Sequence, residues 1–157
     1  MITIKIGDLL NATENIIGHQ VNCFGGVAGL AAQIFDKWPG AGQHYHNITE
    51  ISGLFEENHI GSREENLGRV MFIGPFGKGG PTIANIFGQY YAGADYRPDA
   101  LRQGLEEVAK YAREKNWSVV LPYGLSCGIC GGDWTEVREI INETMEGVNC
   151  VLYQKED

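Results

Sequence analysis

Two glycine-rich segments, each placed between a run typical of a β-strand and a run typical of an α-helix, most constrain how this chain can fold. The first spans residues 22–31 and the second spans residues 124–132. Glycine lets the main chain approach a ligand closely, and ligands of sheets with helical connections bind outside the carboxyl ends of the strands. The two segments therefore predict a ligand site where two strands end.

Hydrophobic periodicity along the rest of the chain predicts a mixed sheet of about six strands with helices on both faces, which is an α/β fold. A Gly/Pro-rich turn at 74–81 separates two of the strands, and Pro39 ends the first helix. The predicted strands are 2–6, 15–21, 70–73, 82–87, 118–121 and 148–153, and the predicted helices are 30–38, 98–116 and 133–147.

Two local features refine the predicted helices. The stretch 40–66 is more polar than its surroundings and predicts a broken helix followed by a surface loop. Farther along, Asp133 is the expected N-cap of the last helix, with Glu136 three residues later. This spacing is typical of a reciprocal capping box.

Length and composition indicate one globular domain covering residues 1–157. A chain of this size buries roughly 70% of its unfolded surface, and 43% of its residues are hydrophobic. No apolar run approaches the about 18 residues of a membrane span, and the first residues alternate like a strand instead of following the layout of a signal peptide. We therefore expect a cytoplasmic protein with no membrane partner.

The net charge of -8 argues against binding to the phosphate backbone of nucleic acids, because that affinity depends on clustered Lys and Arg. A phosphate-bearing ligand must then be held by main-chain N–H groups and helix N-termini. Neither loop has a dinucleotide-binding fingerprint or a P-loop, and a pair of loops suits a diphosphate. The alternatives are a tight turn with close packing for 22–31 and a flexible connection for 124–132.

Several side chains near the loops could carry chemistry, and each has a plainer interpretation. Asp8 is either a turn residue or an acceptor for an exocyclic amine. His19 is either a core residue or a proton-transfer group beside Asn22. Cys127 and Cys130 form a C-x-x-C pair, which suggests a redox site, whereas zinc would need two further ligands. We expect no metal and no cofactor.

Three sequence blocks together resemble macro domains. They are residues 7–10, residues 17–23 with the glycines that follow, and residues 126–134, and their order and spacing agree with that family. The His-x-x-Asn-Cys pattern at 19–23 is most similar to the branch that contains the yeast-type ADP-ribose-1″-phosphate phosphatase and the terminal ADP-ribose protein glycohydrolase. That branch also has phage and bacterial members.

This resemblance implies a three-layer αβα fold that binds ADP-ribose in a cleft above the sheet. By the match, Asp8 accepts from the adenine amine, Tyr153 stacks on adenine, and Asn22 contacts the distal ribose. His19 matches the histidine of the phosphatase-like branch, so His19 and Asn22 are the catalytic candidates. The first loop would hold the distal ribose and a phosphate, and the second would hold the diphosphate. The expected contacts are Leu9, Gly25, Gly26, Val27, Ala28, Gly29, Leu30, Ser126, Cys127, Gly128, Ile129, Cys130 and Gly131.

The sequence departs from the family pattern in both loops. Ala28 stands where a further glycine is common, Cys130 aligns with the catalytic Asp of the glycohydrolase, and no residue matches its catalytic Lys. Three hypotheses stay open. The first is a hydrolase that acts on ADP-ribose 1″-phosphate, or on ADP-ribose attached to a protein or small molecule. The second is a reader that binds ADP-ribose without turnover, and the third is a thiol redox protein.

Overall fold

A six-stranded sheet is the framework of the computed structural model, which describes residues 2–156. The strands lie in the order β1-β6-β5-β2-β4-β3, and every neighbouring pair is parallel except β3 with β4. Their bounds are β1 (Ile2–Ile6), β2 (Ile16–Val21), β3 (Val70–Ile73), β4 (Thr82–Phe87), β5 (Val119–Pro122) and β6 (Cys150–Gln154).

Helices cover both faces of this sheet. They are α1 (Gly29–Lys37), α2 (Pro39–Ser52), α3 (Arg63–Asn66), α4 (Pro98–Lys115) and α5 (Trp134–Thr144), with a 3₁₀ turn at Leu9–Asn11. The first two pack on one face, and α4 and α5 pack on the other. The predicted three-layer αβα fold with a mixed sheet of six strands is therefore confirmed. Within residues 2–156, no helix combines the length and the apolar character needed to cross a bilayer.

Alternation along the strands explains why both faces carry a hydrophobic core. Consecutive strand residues point to opposite faces, so Ile16 packs with α4 and α5 whereas Ile17 packs with α1 and α2. All six residues of β4 are buried, as expected for a strand covered by helices on both sides. The central strands are thus packed on both faces, and the loops that follow them start from this rigid part of the sheet.

Helix α4 follows the prediction within one residue. Pro98 lies in its first turn with Asp99 beside it, where a negative charge complements the helix dipole. Asn116 ends the helix in the left-handed conformation with φ of 56°. Its buried face consists of Ala100, Leu101, Gly104, Leu105, Val108, Ala109 and Ala112.

The prediction of a broken helix over the polar stretch 40–66 is wrong for the first part of that stretch. Pro39–Ser52 is one uninterrupted helix of 14 residues. Its buried positions include Tyr45, Ala41 and Thr49. Because this buried face uses small and hydroxyl side chains, it leaves little hydrophobic periodicity in the sequence. Turns and the short α3 complete the stretch.

The expected reciprocal cap of α5 forms only in part. Asp133 is the N-cap, and its Oδ1 accepts from the N–H of Thr135 at 3.0 Å. Glu136 does not return a bond to the cap residue and instead accepts from the hydroxyl of Tyr96 at 2.6 Å. The helix ends at Thr144, earlier than predicted. Glu136 therefore fastens the loop after β4 to α5.

The strand order brings both glycine-rich loops to one edge of the sheet. β2 and β5 are parallel neighbours, so the loops that follow them start side by side. β4 lies parallel to β2 on its other side, and its carboxyl end adds the connection to α4 as a third wall. The predicted placement of the two loops at neighbouring strand ends is confirmed.

The absence of a side chain at Gly18 in β2 is required by the core around it. A Cβ there would lie 2.7 Å from Cδ2 of Leu121 and 3.4 Å from Cδ1 of Ile86. We predict that Gly18→Ala lowers the free energy of unfolding by about 1–3 kcal/mol through overpacking, as measured by urea denaturation. Gly128→Ala is the matched control, since a Cβ there meets nothing within 4 Å. Equal stability of Gly18→Ala and the unchanged protein would contradict this packing.

Candidate ligand-binding site

Three connected cavities form one cleft along the carboxyl ends of the strands. Their volumes are about 310, 280 and 260 Å³. We name them the distal cavity, beside Asn22, the central cavity, between the two glycine-rich loops, and the proximal cavity, beside Asp8. The distal and central cavities share Gln20, and the central and proximal cavities share Leu30. An elongated ligand can therefore occupy all three at once.

Asn22 shapes the first loop at the distal cavity. Its Oδ1 accepts from the N–H groups of Phe24 at 2.9 Å and Gly26 at 3.3 Å, and its Nδ2 donates to the carbonyl of Gly26 at 3.0 Å. The hydroxyl of Tyr45, a buried residue of α2, donates to the carbonyl of Asn22 at 2.8 Å. The side chain of Asn22 is thus already engaged in holding the loop that borders the distal cavity.

The N-terminus of α1 opens into the central cavity. Its N-cap is Ala28, which supplies no side-chain acceptor, and the first N–H groups of a helix have no partner within that helix. Ala28, Gly29, Leu30 and Ala31 line this cavity. Because the helix dipole places partial positive charge at this end, an anionic group is favoured here.

The second loop is wound so that main-chain N–H groups remain for a ligand. Ser126 adopts the left-handed conformation with φ of 65°, and its carbonyl accepts from the N–H of Gly132 at 2.8 Å. Within residues 2–156, the N–H groups of 128–130 have no hydrogen-bond acceptor, and these residues line the central cavity. The loop therefore faces the start of α1 with a second set of donors.

Gln20, which the sequence analysis did not select, ties the walls of the cleft together. Its Oε1 accepts from the hydroxyl of Ser126, and its Nε2 donates to Oε1 of Gln89 at 2.7 Å and to Sγ of Cys130 at 3.3 Å. Gln89 donates in turn to two carbonyls of its own loop. One side chain thus connects β2, the second glycine-rich loop and the connection after β4.

The proximal cavity combines a carboxylate with aromatic rings. Asp8 is exposed, and its Oδ1 accepts from the N–H of Leu10 at 2.9 Å as the N-cap of the 3₁₀ turn. Tyr123 and Tyr153 also line this cavity. Burial raises the pKa of Tyr153, and the neighbouring carboxylate of Glu14 raises it further. The phenol therefore stays neutral, and the cavity suits a flat group that carries an amine.

His19 borders the central cavity but lies in the core beneath it. Its side chain is 1% exposed, and Nε2 lies 2.6 Å from Oδ1 of Asn85. The ring contacts Phe35 edge to face at a centroid distance of 5.3 Å. Burial lowers the pKa of His19 to about 4. The imidazole is therefore neutral at pH 7, with Nε2 donating to Asn85, whose own Nδ2 donates to the carbonyl of Ala41.

The C-x-x-C pair consists of two free thiols. Burial raises the pKa of Cys127, and the nearby charge of Asp133 acts in the same direction. Its Sγ donates to the carbonyl of Leu125 at 3.3 Å. A reactive redox thiol needs a lowered pKa, so the raised pKa of Cys127 does not favour the redox hypothesis.

Most of the predicted contact residues line the cleft. They are Asp8, Leu9, His19, Asn22, Gly26, Val27, Ala28, Gly29, Leu30, Ser126, Gly128, Ile129, Cys130 and Tyr153. The predicted residues Gly25, Cys127 and Gly131 are not part of its lining. Ala31, at the end of the predicted first loop, also lines the cleft. The cleft contains further residues that were not predicted as contacts: Gly7, Gln20, Val21, Gln33, Gln89, Ala92, Gly93, Pro122, Tyr123, Gly124, Leu125 and Lys155.

Solved structures with the same arrangement of strands and helices place this fold among known ones. The macrodomain of Mycobacterium tuberculosis DarG matches with a TM-score of 0.81 at 26% identity, over 98% of this chain and 97% of that chain. A macrodomain protein from Streptomyces coelicolor matches with a TM-score of 0.78 at 25% identity, over 98% of each chain. This chain has the macrodomain fold.

A further macrodomain-fold match is with Thermosipho africanus DarTG in complex with ADP-ribose. Its TM-score is 0.76 at 13% identity, over 97% of this chain and 41% of that chain. No protein-family model matches the sequence, and neither does any curated protein. The sequence resemblance to macro domains is therefore confirmed by structure, at the level of the fold.

The buried imidazole of this macrodomain fold predicts a pH-dependent stability. Unfolding exposes His19 and returns its pKa from about 4 to the usual 6.5. The stability that comes from the neutral ring is complete above pH 6.5 and falls as the pH drops towards 4, by up to about 1.4 kcal/mol per pH unit. We expect urea unfolding from about pH 7.5 to about pH 4.5 to show a smaller loss for His19→Gln than for the unchanged protein.

The control for this titration is His44→Gln, at an exposed position of α2. Its loss of stability with falling pH should match that of the unchanged protein. If the stability of His19→Gln fell with pH as steeply as that of the unchanged protein, the lowered pKa of His19 in the folded state would be excluded.

Proposed function

We propose that this chain binds ADP-ribose, with adenine in the proximal cavity, the diphosphate in the central cavity and the distal ribose in the distal cavity. One observation carries the proposal: residues at the start of α1 and residues 128–130, whose N–H groups have no acceptor among residues 2–156, line the same central cavity. Backbone donors of a helix N-terminus and a glycine-rich loop bind phosphates without side-chain cations. An acidic protein can therefore hold a diphosphate here.

The two outer cavities have the chemistry that the ends of ADP-ribose require. At the proximal end, Asp8 can accept from the exocyclic amine of adenine, and Tyr123 and Tyr153 offer rings for stacking. At the distal end, Oε1 of Gln89, which accepts one hydrogen bond from Gln20, can accept a second from a ribose hydroxyl. The N–H groups of Val27 and Ala28, which have no acceptor among residues 2–156, can donate to ribose hydroxyls there. The order of the cavities thus matches the order of base, diphosphate and sugar.

The likeness to Thermosipho africanus DarTG, which has been solved with ADP-ribose, supports the same class of ligand. At 13% identity that likeness concerns the fold, so the choice of ligand depends on the chemistry of the cleft. The relationship to the phosphatase and glycohydrolase branch, inferred from the His-x-x-Asn-Cys pattern, stays a prediction.

Hydrolysis of an ADP-ribose derivative is a second candidate function, favoured by the position of His19 at the border of the central cavity. Catalysis by His19 would require the ring to leave Asn85 and reach the ligand, because it is buried and already bonded. Asn22 is likewise engaged in the first loop. The geometry favours binding without turnover. Single-turnover incubation with ADP-ribose 1″-phosphate distinguishes the two, because an enzyme releases phosphate and a reader returns its ligand intact.

The role of Asp8 can be tested by changing the hydrogen-bonding group of the protein and, separately, that of the ligand. In the protein an acceptor is replaced by a donor, and in the ligand the donor amine is replaced by an acceptor oxygen. Asp8→Asn keeps the oxygen that caps the 3₁₀ turn but presents an amide donor in place of the second acceptor. We predict that the unchanged protein binds ADP-ribose about tenfold tighter than the hypoxanthine analogue, and that Asp8→Asn reverses this preference. Isothermal titration calorimetry with both ligands gives the Kd values. Equal discrimination by the two proteins would remove adenine from the proximal cavity.

The Gln20 network can be tested by removing its polar atoms at nearly constant size. Gln20→Leu leaves the hydroxyl of Ser126 and the side chain of Gln89 without their partner. We predict that the Kd for ADP-ribose rises by about tenfold or more, because the second glycine-rich loop and the connection after β4 lose their common anchor. The control is Gln43→Leu on α2, where the side chain bonds to Asn47 at the surface. Unchanged affinity in Gln20→Leu would show that the loops are positioned without this residue.

A further inference from the structure

A cluster of exposed aromatic side chains lies beyond the distal cavity. Phe24 and Tyr91 are 44% and 55% exposed, and their rings stack with centroids 5.4 Å apart and planes at 15°. Phe55, which is 50% exposed, shares with them a shallow depression that also contains Arg63. We refer to Phe24, Phe55 and Tyr91 as the aromatic surface. Exposed apolar groups that cluster in this way are typical of interaction sites.

The rings of Phe24 and its neighbours are held in place by several contacts. The guanidinium of Arg63 lies 4.6 Å from the ring centroid of Phe24 and donates to the carbonyl of Cys23 at 3.2 Å. Tyr90 contacts Phe24 edge to face, and its hydroxyl donates to Glu64 at 2.7 Å. Because these rings are fixed before any partner arrives, binding to them loses little conformational entropy.

The aromatic surface is continuous with the distal cavity. The N–H of Phe24 donates to Oδ1 of Asn22, which lines that cavity. Tyr91 is followed directly by Ala92 and Gly93, which line it as well. A group attached to a sugar in the distal cavity would therefore leave the cleft next to the aromatic surface.

The charges around this surface favour one kind of partner. Residues 50–65 contain five glutamates and a single arginine, and that residue, Arg63, already donates to two main-chain carbonyls. Glu57 and Glu64 line the depression. Such a surface repels the phosphate backbone of a nucleic acid and complements lysine and arginine side chains.

We infer that the aromatic surface docks a polypeptide segment that carries ADP-ribose and has basic residues beside the modified side chain. An apolar side chain of the segment covers Phe24 and Tyr91, and its basic neighbours face Glu57 and Glu64. This inference rests on the proposed function, since the distal ribose must occupy the distal cavity for the segment to reach the surface.

The test compares free ADP-ribose with three conjugates in which ADP-ribose is joined through a non-hydrolysable linkage. Two are peptides that differ only in lysine or glutamate flanks, and the third is a single-stranded oligonucleotide. We expect the lysine-flanked peptide to bind the unchanged protein about tenfold tighter than free ADP-ribose, and the other two conjugates to show no such gain. Fluorescence anisotropy with competition gives all four Kd values.

Two variants separate docking at the surface from binding in the cleft. The double variant Phe55→Ala with Tyr91→Ala should lose the gain of the lysine-flanked peptide while keeping the Kd for free ADP-ribose, which also shows that it is folded. The matched control is Ile4→Ser, an exposed apolar residue (39%) on β1 at the opposite edge of the sheet. This control should keep both values.

Each contrary outcome has its own meaning. Equal affinities for free ADP-ribose and both peptides would overturn the docking inference and leave the proposed function intact. Tightest binding of the oligonucleotide would overturn it in favour of a nucleic-acid partner. Failure of the unchanged protein to bind free ADP-ribose would overturn the proposed function itself, and the docking inference with it.

Discussion

The parallel pairing of β2 with β5 is the constraint on which the rest of the structure depends. The two strands are in register at Ile16 with Val119 and at Ile17 with Val120, so their carboxyl ends reach the same edge of the sheet. The loops that follow start side by side, and residues of both line one central cavity. With any strand inserted between β2 and β5, the same loops would line separate sites.

The acidity of the chain makes this geometry more informative. The chain has a net charge of -8, and among the described residues that line the cleft only Lys155 is a lysine or arginine. The cleft therefore relies on the main chain to hold a phosphate. The second loop is locally strained, because Ser126 adopts a left-handed conformation. This conformation costs residues other than glycine about 1 kcal/mol or more. The hydroxyl of the same residue is bonded to Gln20, so the strained position is also an anchored one.

The sequence predicted the architecture well because alternation and helical periodicity are local signals. Ile16 and Ile17 show the alternation, and α4 shows the helical stripe. The buried face of α2 was missed because small and hydroxyl-bearing residues such as Ala41 and Thr49 give only weak hydrophobic periodicity. This error concerns a helix that contacts the first glycine-rich loop, because the hydroxyl of its Tyr45 donates to the carbonyl of Asn22.

The candidate site was predictable where the main chain forms it and unpredictable where long-range side-chain contacts form it. The glycines in the sequence indicated both loops. The hydrogen bond between Gln20 and Ser126, however, joins residues 106 positions apart, and no sequence-spacing rule predicts such a contact. A glutamine at the end of an apolar strand was the only available signal. Burial in the folded core, which alters the chemistry of His19, likewise follows from packing by α1 and α2 and is absent from any motif.

The proposed site requires one ligand to contact the N–H groups of both loops at once. A titration of the ¹⁵N-labelled protein with ADP-ribose, followed through the amide resonances, tests this contact. We expect the largest shifts to fall together on residues 28–31 and 128–130 and to saturate at the same ligand concentration. Shifts confined to one of these segments, or saturating separately, would contradict it.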